Sequence, residues 1–243
     1  MKNSNLIINS DEIDLYMIKE KFKSRKNEVY YISIKNKYDR IMPCVLKRYI
    51  ASKDNKSKET FLLKILRENG LNVPRIYFEG IDYILLEYIS GKTLLEVITN
   101  LENKQGENID FKKNYEIICK LLNWLENLYY ISKKALGKAY VFEDVNFRNF
   151  IIKGDKIYGV DFEDCHCKGH KERDGGRICA FLLTYNPAFT KWKMEVTKLV
   201  IEIMTKEFNY DRNLLREEVT REFSAIEKRR GMKIPGDIIK KIF

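Results

Sequence analysis

Proline and glycine are scarce in this chain of 243 residues, at 4 and 12, which excludes a collagen-like or a Pro/Gly-rich disordered polypeptide. No glycine occurs before Gly70. The first third therefore has no glycine-rich loop of the kind that cradles phosphates in dinucleotide-binding and nucleotide-binding folds. Gly91-Lys92-Thr93 looks like the end of a P-loop, but that motif needs a second glycine where Leu86 stands. Long apolar runs are also missing. Runs such as Tyr83 to Leu86 and Ala180 to Leu183 fall far short of the ~20 residues of a membrane helix. Met1 to Asp14 has neither the basic start nor the apolar stretch of a secretion signal, so the expected compartment is the cytoplasm. Cysteine is odd in number, at 5, in a chain large enough to fold without staples, so reduced thiols are expected.

What is present is a globular composition, 44% hydrophobic and 33% charged, enough to bury the core of one large domain or of two lobes. The net charge of +10 by itself suggests an anionic partner. Residues 1 to 88 carry 17 Lys and Arg against 12 Asp and Glu, and the remainder 28 against 23, so the excess is evenly spread. The run Lys228-Arg229-Arg230 reads as a solvated helix face. From 143 to 174 the acids Glu143, Asp144, Asp161, Glu163, Asp164, Glu172 and Asp174 gather. Nucleic acid is accordingly not expected as a partner, nor is a membrane span.

Periodicity divides the chain. Ile13, Met17 and Ile18 suggest a short amphipathic helix, followed by strands at Glu28 to Lys35 and Ile41 to Tyr49 with a turn at Lys37 to Arg40. Phe61, Leu62, Ile65 and Leu66 mark a helix over Ser57 to Glu68, stopped by Asn69-Gly70. Two more strands lie at Arg75 to Glu79 and Tyr83 to Ile89. Beyond Gly91 the pattern is helical: Thr93 to Leu101, Phe111 to Ile131, Arg177 to Tyr185 and Lys193 to Arg230, the last with a break at Asn209 to Asp211. Embedded in it is a hairpin, Phe150 to Lys153 and Lys156 to Val160, turned at Gly154-Asp155. The expected class is α+β, with an N-terminal lobe over 1–88 and a C-terminal lobe over 89–243 forming one functional unit.

The residues that carry chemistry flank that hairpin. Asp144 and Asn149 share a loop as D-x-x-x-x-N, and Asp161 leaves the second strand. Oxygen ligands of this kind suit Mg²⁺ with substrate phosphates, and a carboxylate beside them can take a proton from a hydroxyl. Upstream, Lys47 ends a strand and Glu59 follows twelve residues later in a helix. Cys165-His166-Cys167 with His170 offers soft-metal ligand types, although loop thiols are the simpler expectation. Trp124, Tyr129 and Tyr130 are expected to pack rather than to stack on bases.

In these pieces the chain resembles the aminoglycoside phosphotransferase and choline kinase group, which shares the protein-kinase-like fold. The resemblance runs from VLK at Val45 to Lys47 through ILLEYISGKTL at Ile84 to Leu94 and EDVNFRNFII at Glu143 to Ile152 to GVDFED at Gly159 to Asp164. It implies a bilobal, protein-kinase-like fold. It also implies Asp144 as catalytic base, Asn149 and Asp161 as magnesium ligands, and Lys47 as the phosphate contact held by Glu59. Leu86, Glu87 and Ile89 would form the nucleobase hinge, and Asp174 would brace the catalytic region. The implied activity is Mg²⁺-dependent transfer of the γ-phosphoryl group of ATP or GTP to a small hydroxyl-bearing acceptor. Phe142 replaces the group's usual His, Glu143 stands where Gly is common, and the nucleotide loop over Lys23 to Asn27 has no Gly. The alternatives are therefore a pseudokinase or nucleotide-sensing module, or a kinase of a protein or a cell-envelope glycan.

Overall fold

The computed structural model describes residues 13–24, 26–36, 41–50, 53–106 and 108–243; the turn expected at 37–40 and Arg25 of the presumed nucleotide loop lie outside them. The class is α+β, and the chain divides into two compact units. One comprises residues 1–90 with 158–163, the other 91–157 with 164–243.

The first unit is built on an antiparallel sheet of β1 (Ile13–Phe22), β2 (Asn27–Asn36), β3 (Ile41–Tyr49), β4 (Ile76–Glu79) and β5 (Tyr83–Glu87), in the order β1-β2-β3-β5-β4. β1 corrects the expected N-terminal helix. Met17 and Ile18, which suggested a helical face, both face solvent, as does Tyr16, so they have no core to enter. Pairing along β2, with Ile18 opposite Ile32 and Phe22 opposite Val29, satisfies the backbone instead. Ile32, Ile34, Cys44 and Leu85 form a core within the sheet, with Tyr30, Met42, Leu46, Tyr77 and Phe78 against it. Burial there pushes the Cys44 thiol up to about 12. Helix α1 (Lys53–Glu68) lies along β3, β4 and β5 and buries Leu62, Leu63 and Leu66 at the i, i+1, i+4 spacing of one helical face.

The second unit opens with the two-residue strand β6 (Lys92–Thr93), which pairs with β7 (Phe150–Lys153); β8 (Lys156–Gly159), of which only residues 156 and 157 belong to this unit, is the third strand of the same sheet. This arrangement accounts for the P-loop look-alike. A Cβ at Gly91 would run into the Ile152 carbonyl, and Thr93 caps α2 (Leu94–Gln105) in a reciprocal capping box with Glu96. The long α3 (Phe111–Leu136) runs from the Asp110 cap to Gly137 in the left-handed region. Its buried stripe includes Ile118, Leu121, Leu122, Leu125 and Leu128. Trp124 stacks edge-on against Phe142 and Phe150 at 5.4 Å from each, which makes it a packing residue.

Helices α4 (Lys171–Thr184), α5 (Lys191–Lys206), α6 (Arg212–Arg230) and α7 (Ile238–Ile242) finish the unit. Gly176 lets α4 approach α6 closely, since a Cβ there would lie 2.6 Å from Glu218 Cβ. None of the five cysteines is in a disulfide, and among the described residues no helix is long and apolar enough to cross a membrane.

Candidate functional site

In the first unit, β3, α1 and the segment after β8 bring four charged side chains together. Lys47 Nζ stands 2.7 Å from Glu59 Oε2, 2.7 Å from Asp161 Oδ1 and 3.3 Å from Glu163 Oε1. Lys47 and Tyr49 share a face of β3 because strand side chains alternate, and the Tyr49 hydroxyl donates to Glu59 at 2.6 Å. The Phe162 N–H donates to the other Glu59 oxygen at 3.1 Å. Asn27 donates to the Glu163 carboxylate, and Lys58 donates to the Glu163 carbonyl at 2.8 Å.

Burial opposes a charge on Lys47, yet Glu59, Asp161 and Glu163 together hold its pKa above the ordinary lysine value. Burial pushes the Glu59 carboxyl up, against the pull of Lys47. One ligand oxygen from each of Glu59, Asp161 and Glu163 lies within 4.8 Å of the other two. Glu59 and Glu163 are buried, whereas the Asp161 side chain is 48% exposed. Three carboxylates face one ammonium, so the donor set has the hard oxygen chemistry and the surplus negative charge that a divalent cation such as Mg²⁺ requires.

The expected nucleobase contacts lie in the same unit. Leu86 and Ile89 are buried. Glu87 is held within the unit: its N–H donates to the Arg75 carbonyl at 2.8 Å, and its carboxylate meets the Arg75 N–H and Arg67.

In the second unit, the loop before β7 holds Asp144 and Asn149 together. Asn149 Nδ2 donates to the Asp144 carbonyl and to Asp144 Oδ2, at 3.0 Å each, which turns the amide nitrogen towards Asp144. Asp174, on α4 and fully buried, pins the preceding backbone. It accepts from the Phe142 N–H at 2.8 Å, the Glu143 N–H at 2.9 Å and the Tyr129 hydroxyl at 2.9 Å. Burial raises its carboxyl to about 6, against the lowering effect of these three donors.

Glu143 holds a left-handed backbone with φ +70°, a conformation that glycine adopts freely and a glutamate rarely does. Its carboxylate lies 2.7 Å from both Arg173 and Arg177 and 3.3 Å from His166 Nε2. Asp161 is also left-handed, with φ +68°. Non-glycine residues held in this region concentrate at functional sites.

The sequence assigns no site role to Tyr49, Glu143 or Glu163; the two acids enter it only as members of the acidic run, and Glu143 also as the residue standing where glycine is common. Glu163 is one residue past the Asp161-Phe162 dipeptide and reads in sequence as a loop acid. The Cys and His of 165–170 do not assemble. Cys165 is buried, His166 bridges by backbone to Val141, and the two ring nitrogens of His170 face different carboxylates, Glu172 at 3.2 Å and Glu218 at 3.3 Å.

No protein-family model matches the chain. Curated relatives that do match include the tRNA-splicing endonucleases of the Lassen and Kamchatka strains of Saccharolobus islandicus, each 29% identical over 91 residues, 37% of this chain and 42% of the relative. The chain thus spans less than half the length of the curated relatives it matches. These findings correct the resemblance drawn from the motifs. Membership of the aminoglycoside phosphotransferase and choline kinase group has no family match behind it, and the relatives found are endonucleases. The small-molecule kinase activity, with its pseudokinase and glycan-kinase alternatives, falls with that membership. The expected absence of a nucleic-acid partner is opposed by the same matches.

Proposed function

We propose that this chain acts on the phosphate esters of RNA with nuclease-like chemistry, and that Asp144 is its base. The observation that carries the reading is the Asp144–Asn149 loop, a carboxylate fixed by a side-chain amide on a backbone that Asp174 pins. The partial identity with tRNA-splicing endonucleases supports RNA as the substrate class. In the proposed step an attacking hydroxyl or water gives its proton to Asp144 while its oxygen bonds to phosphorus. The opposite P–O bond breaks, and the leaving oxygen takes a proton from solvent.

Asp161 in the first unit and Asn149 in the second are each proposed as an oxygen donor to Mg²⁺; an ion bound at either would neutralise phosphate charge. Lys47, held by Glu59, is the proposed contact for nucleotide phosphates, with Leu86, Glu87 and Ile89 as the base-facing residues. A nucleoside triphosphate, ATP or GTP, is the ligand to titrate there. For the fold, the protein-kinase-like bilobal arrangement stays a proposal, supported by the Lys47–Glu59 pair between strand and helix, with no kinase activity attached to it.

The test is cleavage of an end-labelled, structured RNA with and without Mg²⁺. Asp144→Asn should slow cleavage by about 10²- to 10⁴-fold, the range a general base supplies, while RNA binding is retained. Equal rates for the two proteins, or no cleavage by the wild type, would overturn the reading.

A further inference from the structure

Beside the Asp144 loop, two exposed arginines from distant parts of the second unit converge on one pair of aromatic rings. The Arg148 guanidinium lies 5.9 Å from the Tyr185 ring, and that of Arg230, on the last turn of α6, lies 5.9 Å from the Phe181 ring. The two rings are 6.4 Å apart. Arg230 is further placed by Thr184, whose hydroxyl is 3.5 Å from Nη1.

Tyr185 is itself fixed to the loop. Its hydroxyl donates to Asn146 Oδ1 at 2.8 Å and accepts from the Phe147 N–H at 3.2 Å. Burial raises this hydroxyl to about 12, and among the smaller effects Arg148 and Arg230 lower it while Asp144 raises it. Arg148 over its ring, the neighbouring Phe181 ring under Arg230 and the loop bonded to its hydroxyl thus all meet at Tyr185.

What separates these two arginines from most others is their lack of an acid. Arg48, Arg67, Arg173, Arg177, Arg221 and Arg229 each face a carboxylate. Among the described residues Arg148 and Arg230 face none; their positive charge is held over ring faces, where it is attracted by the ring quadrupole without being neutralised. A guanidinium seated on a ring keeps its planar fork of N–H donors for an oxyanion, the geometry that recognises phosphate.

We propose that Arg148 and Arg230 clamp a phosphodiester group of an RNA strand next to Asp144. The choice of RNA rests on the function proposed above; the anionic ligand rests on the arginines alone. A two-point contact in register with the base would set which phosphate of the strand lies at Asp144.

The test is fluorescence anisotropy of a short single-stranded RNA in EDTA across a range of salt. Relative to wild type, Arg148→Ala with Arg230→Ala should lower affinity by about tenfold or more. It should also flatten the log K against log salt slope by about 1.4, two contacts at about 0.7 each for a single strand. The exposed pair Arg216→Ala with Lys228→Ala removes the same charge elsewhere on the unit and should leave both quantities near wild type. Arg148→Lys with Arg230→Lys should keep the salt slope and lose affinity, because an ammonium cannot make the forked contact.

Unchanged binding in the alanine pair, or no RNA binding by the wild type, would overturn the clamp. So would displacement of the strand by low-millimolar inorganic phosphate, which would identify a free phosphate as the ligand. Because binding is read without turnover, failure of Asp144→Asn to slow cleavage would leave the clamp standing. Normal cleavage with unchanged binding in the alanine pair would sink the clamp alone.

Discussion

Lys47 in the first unit and Asp174 in the second are both buried, at 5% and 0% exposure, and each keeps its polar group satisfied by a different means. Lys47 is surrounded by full charges: Glu59, Asp161 and Glu163, all within 3.3 Å. Asp174 has no ion pair among the described residues and is met by two backbone N–H groups and a phenol. A charge matched by charges leaves a net imbalance, here a surplus of carboxylates, that a cation can use. A charge matched by neutral donors leaves no such surplus and pins backbone instead, which is what Asp174 does for the residues before Asp144. The first arrangement suits ligand binding, and the second suits positioning.

Removing the ammonium should break the first arrangement most severely. Lys47→Met leaves Glu59 and Glu163 buried without a cation, and uncompensated buried charge of this kind costs about 3 to 5 kcal/mol. The folded-state pKa of Lys47 stands above its ordinary value of 10.5. The ammonium therefore contributes its full stability at every pH below that value and loses it only as pH rises through the folded pKa. Urea unfolding at pH 7 measures the loss. A loss below about 1 kcal/mol would mean that the carboxylates are balanced by something other than Lys47.

Asp174 should show a pH dependence of opposite sign to an ion-paired acid. Its carboxyl is raised from 3.8 to about 6, first by burial, so between these values the folded chain holds more protons than the unfolded one. Stability is then greatest below about pH 4 and falls as pH rises to about 6, by at most about 3 kcal/mol for a shift of this size. Asp174→Asn removes the titration. The amide leaves a single acceptor oxygen for the Phe142 and Glu143 N–H groups, so one of them loses its partner and the variant is weaker throughout. The readout is the difference between wild-type and variant unfolding free energies from pH 4 to 7. Parallel curves would show that Asp174 titrates no differently in the folded protein.

Different parts of this comparison were legible in the sequence to different degrees. Strands β2 to β5 and α1 follow from β-branched runs and helical spacing, and the order Lys47, Glu59, Asp144, Asn149, Asp161 points in sequence to a phosphate and metal site. β1 was misread because Met17 and Ile18 match a helical face as well as a strand that leaves them exposed. Glu163 is hard to find because its partners Lys47 and Asn27 are remote in sequence, and Tyr49, near its partner Glu59, because a strand-end aromatic reads as a packing residue. The left-handed backbone of Glu143 has one signal, the glycine that the resembled group commonly carries there, whereas the convergence of Arg148 with Arg230 has none. The activity is where the sequence misleads: a few short motifs resemble those of a kinase group, while the relatives found are endonucleases, and likeness in such motifs does not fix function.

Asp161 sharpens the comparison, because it belongs to the ionic cluster but is nearly half exposed. Solvent screens its pairing with Lys47, and exposed pairs contribute about 1 kcal/mol or less. Asn tolerates the left-handed backbone about as well as Asp, so Asp161→Asn carries no added strain at φ +68°. Lys47 keeps Glu59 and Glu163 as partners in the variant. The expected loss of stability is therefore at most about 1 kcal/mol, well below that of Lys47→Met. If Asp161 holds Mg²⁺, the same substitution should abolish any Mg²⁺-dependent rise of the thermal midpoint seen in the wild type, because an ion that binds only the folded state stabilises it. A stability loss as large as that of Lys47→Met would show that Asp161 is a structural partner of the lysine. A small loss with the Mg²⁺ response intact would move the ion away from Asp161.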